Sequence, residues 1–236
     1  MKTLTIRLTS PLQSYGDQAQ FGRRTTGDYP SKSAVIGMLA AALGYSRDDQ
    51  RIRQLNDLLF AVRVDQPGTM MTEFQTVEWK ANTRKLSYRD FLQDAVFVAA
   101  IGGTNNAEID HLAAALRRPK FQLFLGRRAN VPAGILKIDL FKNQSPVDVL
   151  ETLPWQASRW YQKASNKKQT VAVELIADHH LLDGRPVELT KDAVRTFDQR
   201  GRQFEFRAVS QKRVNLDNPA YQGNQADTSQ DIFNYL

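Results

Sequence analysis

Residues 33–44 read SAVIGMLAAALG, and this stretch decides the fold. Almost every position after Ser33 is apolar, and a helix that is apolar all round must be buried. Ser31 or Ser33 can cap its start, and Gly44 is the residue type that commonly ends a helix in the left-handed conformation. The sequence therefore predicts a buried helix over residues 31–43, against which the rest of the chain packs.

Three segments around this helix are predicted strands. In residues 3–9 apolar and polar side chains alternate, as in a strand with one buried face. Residues 58–65 repeat the alternation and place Arg63 on the outward face. Residues 95–101, AVFVAAI, are apolar throughout, which predicts a central strand covered on both faces.

A second helix and further strands follow the central strand. Asn105 and Glu108 form a start similar to a capping box, apolar residues recur at helical spacing, and Pro119 stops the helix. Residues 120–140 hold one or two strands. The order β-α-β-β-α-β predicts an α+β fold with a ferredoxin-like or RRM-like module.

An insertion separates the second and third strands of this module. Residues 66–86 lack a clean period and contain the turn signal Pro67-Gly68, so they predict a long hairpin or protruding arm. Ser87 and Asp90 are predicted to bracket a short helical turn.

The chain is predicted to have three parts. Residues 1–142 form the RRM-like domain, with its hairpin at about 66–86. Residues 143–214 are a smaller, mostly β part, either a degenerate repeat or an appendage on the first sheet. Residues 215–236, rich in Asn, Gln, Ser and Asp, form a tail without Lys or Arg.

Composition narrows the range of partners. Lys and Arg number 32 against 25 Asp and Glu, and the net charge of +7 favours a polyanionic partner such as nucleic acid or an acidic membrane surface. The absence of cysteine excludes disulfides and thiolate metal sites. No apolar run reaches the roughly 20 residues of a membrane span, so we expect a cytoplasmic protein.

A cationic group precedes the buried helix. Lys32 lies in the first helical turn, and Arg23 and Arg24 lie just upstream. Because the free N–H groups of a helix start carry about half a positive charge, these cations repel unless an anion lies among them. A bound phosphate would supply that anion. In the alternative interpretation, Ser31 caps the helix while Asp28 and water soften the repulsion.

Two further segments are rich in arginine. Gly126-Arg127-Arg128 repeats the GRR pattern, and residues 199–207 place arginines beside Phe204 and Phe206. Arginine pairs with phosphates and stacks on bases. The two phenylalanines alternate with polar residues, which predicts that they face the core while the arginines are available to a ligand.

Catalytic motifs have little support. Asp178-His179-His180 is similar to a phosphoesterase motif, but no accompanying network of metal-ligating aspartates is recognisable. We therefore predict no catalytic residue, no metal site and no cofactor. A metal-independent ribonuclease that uses His179 or His180 with a nearby lysine stays an alternative.

Two long segments carry a family resemblance. SPLQSYG at 10–16, followed by RRTTGDYPSKSAVIGMLAAALG at 23–44, resembles the N-terminal signature of the CasD family, the fifth Cas family, which belongs to the RAMP superfamily and occurs in type I-E CRISPR systems. The supporting segments are WKANTRKLSYRDFLQDAVF at 79–97, FLGRR at 124–128 and RQFEFRAV at 202–209. The resemblance spans about residues 1–210.

The resemblance implies a non-catalytic subunit of the Cascade surveillance complex, used in antiviral defence. Such a subunit grips the 5′ handle of the crRNA with an RRM-like fold and an extended thumb hairpin, which would be residues 66–86 here. The implied partners are the crRNA, the backbone subunit whose filament it caps and the large subunit that recognises the PAM. Target DNA would be met indirectly, and no membrane is involved. Because the fold processes crRNA precursor in a related subtype, a metal-independent endoribonuclease is the alternative.

The RNA-binding residues that the resemblance implies fall into three groups. A pocket at the helix start would bind handle phosphates and splayed bases through Gln13, Ser14, Tyr15, Arg23, Arg24, Thr25, Thr26, Lys32 and Ser33. Arg127 and Arg128 would add a second wall. Arg84 and Lys85, near the thumb, would contact the bent RNA backbone where handle meets spacer.

Overall fold

The computed structural model describes residues 1–16 and 22–223, and these form a mixed α/β fold with a large antiparallel sheet and few helices. The strands are β1 (Lys2–Thr9), β2 (Leu12–Gln13), β3 (Arg23–Arg24), β4 (Leu59–Gln66), β5 (Thr69–Lys80), β6 (Thr83–Gln93), β7 (Val96–Gly103), β8 (Lys137–Lys142), β9 (Thr170–Asp178), β10 (Glu188–Thr196) and β11 (Gln203–Asp217). The helices are α1 (Lys32–Leu43), α2 (Arg51–Gln54), α3 (Asn106–Arg117), α4 (Pro146–Thr152) and α5 (Arg159–Ala164). No helix among the described residues combines the length and apolar character needed to cross a bilayer.

The large sheet has seven strands in the order β10-β11-β9-β4-β7-β1-β8. Each neighbouring pair is antiparallel. The predicted apolar strand is confirmed as β7, which lies between β4 and β1 and is buried from Val96 to Gly102. Its continuous apolar sequence follows from this position, because both faces of β7 are covered by packed side chains.

The predicted buried helix is confirmed as α1. The Ser31 side chain accepts a hydrogen bond from the backbone N of Ala34, and Gly44 ends the helix with φ +80°. The predicted second helix is α3, capped by Asn105, and it packs beside α1. Both helices share one core with the sheet side chains of Phe60 and Phe97. The core on this face is therefore the one that the apolar sequence of α1 predicts.

On the opposite face of the sheet, the prediction that Arg63 is exposed is wrong. The sequence places Arg63 outward in its strand, yet its side chain is 0% exposed. It does point away from α1, but α4 and the chain after it cover that face. The Arg63 guanidinium donates to the carbonyls of Leu150, Leu153 and Pro154 and pairs with Asp65 at 2.6 Å. A strand that alternates in sequence is thus buried on both faces.

The strands of the second half continue the same sheet. β9 pairs with β4, where Ala61 lies opposite Ala177, and β11 pairs with β9. β11 extends through Asp217, so residues 215–217 belong to the sheet and not to the predicted tail. These three residues are held there by pairing with residues 170–172. The rest of the predicted tail from residue 224 onward lies outside the described residues.

The insertion between β4 and β7 forms a hairpin that is longer than predicted. β5 and β6 pair from Thr69–Gln93 to Lys80–Thr83. Ser87 and Asp90 therefore lie in β6, and the predicted helical turn is wrong, because continuous pairing with β5 extends the strand through both residues. β2 and β3 flank β6 and complete a second, four-stranded sheet.

Candidate nucleic-acid interface

Short strands bring the N-terminal arginines to the base of the hairpin. β3 runs parallel to β6 and places Arg23 opposite Tyr88 and Arg24 opposite Arg89. Because neighbouring side chains in a strand point to opposite faces, Arg23 and Arg24 lie on different faces of the small sheet. The sequence alone suggests that the two arginines act together, but the strand pairing places their side chains in different surroundings.

Three arginines gather on one of these faces: Arg24, Arg89 and Arg127. Arg127 Nη2 donates to the carbonyl of Arg24 at 2.9 Å, and its guanidinium lies 4.3 Å from the centre of the Phe91 ring. Burial lowers the pKa of Arg127, and the charges of Arg89 and Arg24 lower it further, while Glu73 and Asp90 oppose this. We call these three residues the arginine cluster.

The arginine cluster holds donors without acceptors. Within residues 1–16 and 22–223, Nε of Arg89 and Nη1 of Arg127 are buried and have no hydrogen-bond partner. No salt bridge of the described residues involves a member of the cluster. Burying a charged donor without a partner costs free energy, so an acceptor of negative charge would stabilise this arrangement.

A glycine turn holds Arg127 in place. The backbone N of Ser14 donates to the carbonyl of Leu125 at 3.3 Å, and the backbone N of Leu125 donates to the carbonyl of Asn130 at 2.7 Å. Gly126 has φ +87°, and a Cβ at this position would overlap the carbonyl oxygen of Ser14. Glycine is required here for both reasons. The repeated GRR pattern thus marks a turn that docks on β2.

Arg23 lies on the other face and is paired. Its guanidinium nitrogens lie 3.1 and 3.3 Å from the Asp90 carboxylate, which also accepts from Thr72 at 2.7 Å. Hydrogen bonds from Thr72 and Arg23 lower the pKa of Asp90. The large side chains of Phe74 and Tyr88 are exposed on the same face, where they lie opposite one another across the hairpin.

Gln13, Ser14 and Tyr15 were expected to contact RNA, but their side chains are buried and bound to other parts of the protein. Gln13 Nε2 donates to the carbonyl of Ala95 at 2.7 Å, and the Tyr15 hydroxyl donates to Gln13 Oε1 at 2.6 Å. Ser14 Oγ donates to the carbonyl of Asp90 at 3.1 Å. All three residues are buried, because they attach β2 and the chain after it to β6 and β7. Their side chains support the interface from within.

The remaining residues of the predicted pocket differ in exposure. Thr26 is buried, and its hydroxyl accepts from the backbone N of Tyr15 at 2.8 Å. Thr25 and Ser33 are half-buried, and Ser33 shares a hydrogen bond with Ser31 at 3.0 Å. Arg128 is exposed next to the arginine cluster.

The expectation that a bound phosphate neutralises Lys32 is corrected most strongly, because carboxylates of the protein itself lie at the start of the helix. The backbone N of Lys32 donates to Asp192 at 2.8 Å, and its Nζ lies 3.3 Å from Asp178. Arg207 binds both carboxylates. Burial lowers the pKa of Lys32, and Asp178 partly opposes that shift. Lys32 is 5% exposed, and its contacts are with the second half of the chain instead of Arg23 and Arg24.

Arg84 and Lys85 occupy the far end of the hairpin. Arg84 lies 3.6 Å from Glu78, and Lys85 Nζ lies 5.4 Å from the centre of the Trp79 ring. They are four to five residues along β6 from Arg89, or about 15 Å at the rise of an extended strand. The two residues therefore form a separate basic site beyond the arginine cluster.

The motif at 178–180 has structural partners. Asp178 belongs to the ion pairs of Lys32 and Arg207, and its Oδ2 also accepts from the backbone N of Phe60. His179 Nδ1 lies 2.8 Å from Ser210 Oγ. The aspartate of the predicted phosphoesterase-like motif is thus committed to holding β4, β9 and α1 together.

Arg89 is a candidate interface residue that sequence reasoning did not indicate. The predicted helical turn over 87–90 hid the alternation of β6, in which Arg89 and Phe91 share a face. The signal was present in RKLSYRDFLQ, where the hairpin pattern extends past residue 86. Recognition of that longer strand would have put Arg89 beside Arg24.

Comparisons with known proteins show which family this chain is similar to. The family model described as CRISPR-associated protein (Cas_Cas5) matches residues 3–210. The chain is also similar to the CRISPR system Cascade subunit CasD of Escherichia coli (strain K12), with 32% identity over 146 residues. That match covers 53% of this chain and 65% of the relative, which is less than two thirds of its length.

Solved structures show the same similarity over nearly the whole chain. One, described as a CRISPR RNA-guided surveillance complex, has a TM-score of 0.72 and 30% identity and covers 95% of both chains. Another, described as the crystal structure of a Cas protein, has a TM-score of 0.67 and 30% identity, covering 93% of this chain and 97% of the other.

Proposed function

This chain belongs to the CRISPR-associated Cas5 family, and from that premise we propose that it is an RNA-binding, non-catalytic subunit of a Cascade surveillance complex. In this proposal the base of the hairpin holds the 5′ handle of the crRNA. The similarity to the Cascade subunit CasD and to a structure described as an RNA-guided surveillance complex supports the assembly.

One observation carries the proposal: within the part of the chain that the structure describes, the arginine cluster has buried N–H groups without an acceptor, and its positive charges repel one another. Guanidinium groups match phosphate oxygens in geometry and charge, so a ribose-phosphate backbone is the ligand that completes this group. Arg128, exposed beside Arg127, would add a further contact. The binding site thus lies at the β3–β6 junction and not at the start of α1.

The hairpin would act as the thumb of this subunit. Phe74, Trp79, Leu86 and Tyr88 are all exposed on it, and aromatic side chains can stack on unpaired bases for about 1–3 kcal/mol each. Arg84 and Lys85 at its far end would contact the RNA backbone where handle meets spacer. The support is that exposed aromatic side chains and the cationic side chains of Arg84 and Lys85 lie on the same hairpin.

We further assign residues 1–142 to a ferredoxin-like module, residues 143–217 to a β-rich extension that ends with β11, and the remainder to a tail. The strand order β8-β1-β7-β4, with α1 and α3 on one face, supports the first assignment. The proposed protein partners are the backbone subunit, whose filament this chain would cap, and the large PAM-recognising subunit. Target DNA would be met only through the guide.

The test is the salt dependence of RNA binding. The triple variant Arg24→Ala, Arg89→Ala, Arg127→Ala should bind handle RNA more weakly, with the slope of log K against log salt reduced by about 2, since single strands lose about 0.7 per phosphate contact. The matched control replaces Arg47, Arg53 and Arg118 with alanine. These arginines are exposed elsewhere on the protein, and their replacement removes the same amount of charge. Equal slopes for the two variants would contradict the proposal.

The non-catalytic part of the proposal has its own test. Purified protein incubated with repeat RNA in EDTA should leave the RNA intact. Specific cleavage that disappears in a His179→Ala, His180→Ala variant would overturn this part and establish the endoribonuclease alternative.

A further inference from the structure

The large sheet contains a gap near the start of α1. β9 ends at Asp178, the residue paired with Val209, while among residues 1–16 and 22–223 the part of β11 from Gln203 to Ala208 pairs with β10 alone. On the other side β4 has its first β9 partner at Ala61. Residues 206–208 and residues 58–59 therefore line an open cavity of about 470 Å³ where the missing strand would lie. We call this cavity the sheet notch.

The fixed charges beside the sheet notch balance one another. Lys32 and Arg207 line it, and both are paired with Asp178, while Arg207 also binds Asp192 through two hydrogen bonds of 2.9 Å. Two cations face two carboxylates. Asp57 also lines the cavity and Lys191 Nζ lies 5.8 Å from the centre of the Phe206 ring, which adds one charge of each sign and keeps the balance. A phosphate would add charge without a surplus cation to meet it, so the charge balance favours a neutral ligand.

One wall of the sheet notch is aromatic. Phe206 is 66% exposed, although Phe204, two residues earlier in β11, packs with Phe197 in the core. Exposed His180 lines the same cavity. An exposed ring next to a cavity of this size provides a stacking surface for a planar ligand.

The sheet notch also has groups that can bind the edge of such a ligand. The Lys32 ammonium has three donors, of which Asp178 accepts one. Ser210 Oγ donates to the carbonyl of Pro186 at 2.7 Å, so it accepts from Nδ1 of His179, and in the tautomer with its proton on Nδ1 the Nε2 atom is an acceptor. The Lys32 ammonium as a donor and the His179 ring as an acceptor thus line the same cavity.

From these observations we propose that the sheet notch binds a nucleobase, stacked on Phe206 with its polar edge toward Lys32 and His179. The inference extends the proposed function, because a base splayed from the bound RNA is one source of this ligand. A free nucleoside is the other source, and its binding does not depend on the arginine cluster.

The fluorescent base 2-aminopurine tests the proposal, since stacking quenches it. The full chain is titrated with 2-aminopurine riboside, and separately with an RNA octamer that carries the base at each position in turn. We expect saturable quenching with the wild-type chain. The Phe206→Ala variant should bind the probe about tenfold more weakly than wild type, since base stacking is worth about 1–3 kcal/mol. Leu189→Ala is the control, because Leu189 is 70% exposed on neighbouring β10.

The outcomes separate this proposal from the handle site. Phe206-dependent quenching of the riboside, or of the RNA at one position alone, supports it and identifies the source of the base. No quenching in either arm overturns it, as does riboside or RNA quenching that Phe206→Ala leaves unchanged. Displacement of the bound probe by inorganic phosphate also overturns it, because the notch would then be an anion site. Failure of the arginine triple variant to change RNA affinity would overturn only the proposed function.

Discussion

At the residue scale, Arg63 is a charge held within the sheet by a complete set of partners. Its guanidinium closes the C-terminal end of α4 by binding the carbonyls of Leu150 and Leu153, and Asp65 balances its charge. Asp65 in turn accepts from the backbone N of Gln156 at 2.5 Å. The group therefore ties β4 to α4 through polar contacts that are fully shielded from water.

Replacement of Arg63 should destabilise the fold severely. We expect Arg63→Met to lower the free energy of unfolding by about 3–5 kcal/mol, because the buried Asp65 carboxylate loses its cationic partner and the helix-end carbonyls lose the guanidinium donors. Urea denaturation measures this. Arg53→Met, at an exposed position of α2, should change stability by less than about 0.5 kcal/mol. A similar small change for Arg63→Met would contradict the structural role.

Tyr15 should make stability depend on alkaline pH. Burial raises the pKa of Tyr15 above its ordinary value, so the folded state keeps the phenolic proton after the unfolded state has lost it. Stability is then fully present below about pH 10 and falls as pH rises above it, by up to about 1.4 kcal/mol per pH unit.

The comparison of wild type with Tyr15→Phe isolates this effect. Urea denaturation from pH 8 to 11 should show a less steep alkaline loss in the variant, since other titrating groups, including Tyr29 with its raised pKa, are common to both proteins. Parallel stability curves would mean that Tyr15 ionises as readily in the folded state.

At the scale of elements, the turn at 125–130 connects packing to ligand binding. Gly126→Ala should cost about 1–3 kcal/mol for its left-handed conformation and should also push the turn away from Ser14. We expect weaker RNA binding even though no arginine changes, because Arg127 moves with the turn. Gly201→Ala is the control, since its Cβ meets nothing within 4 Å. RNA affinity equal to wild type in Gly126→Ala would show that the turn does not position Arg127.

At the scale of the whole molecule, one sheet joins the two halves of the chain. β9 pairs with β4, and α4 packs on the face that contains Val98 and Ala100. The division at residue 142 therefore separates two segments of the sequence but not two separately packed domains. We do not expect the two parts to unfold separately. Removal of the second half would expose the buried side of β4, including Arg63.

Equilibrium unfolding should accordingly occur in a single transition. Trp155 is buried in the second half, whereas Trp79 in the first half is already 60% exposed when folded, so the fluorescence change on unfolding reports mainly the second half. Far-UV circular dichroism reports the whole chain. We expect both signals to change at the same urea concentration. Two separated midpoints would show that the halves are independent folding units.

Much of the architecture was predictable because it depends on local pattern. The apolar run of α1, its caps, the apolar strand β7 and the start of α3 at Asn105 each follow from residues close in sequence. Family membership was also predictable, because the N-terminal signature is long. For the proposed interface, charge and spacing made Arg24 and Arg127 candidates, and the family resemblance implied the same two residues.

The sequence by itself determined that α1 and β7 are buried, where α1 begins and ends, and that the chain carries excess positive charge. Only the tertiary structure decided which charges remain available: Lys32 meets Asp178 and Asp192 from more than a hundred residues away, whereas Arg24, Arg89 and Arg127 meet one another. The physical reason is that burial and packing act through local pattern, while the fate of a charge depends on groups that sheet pairing brings from distant parts of the chain.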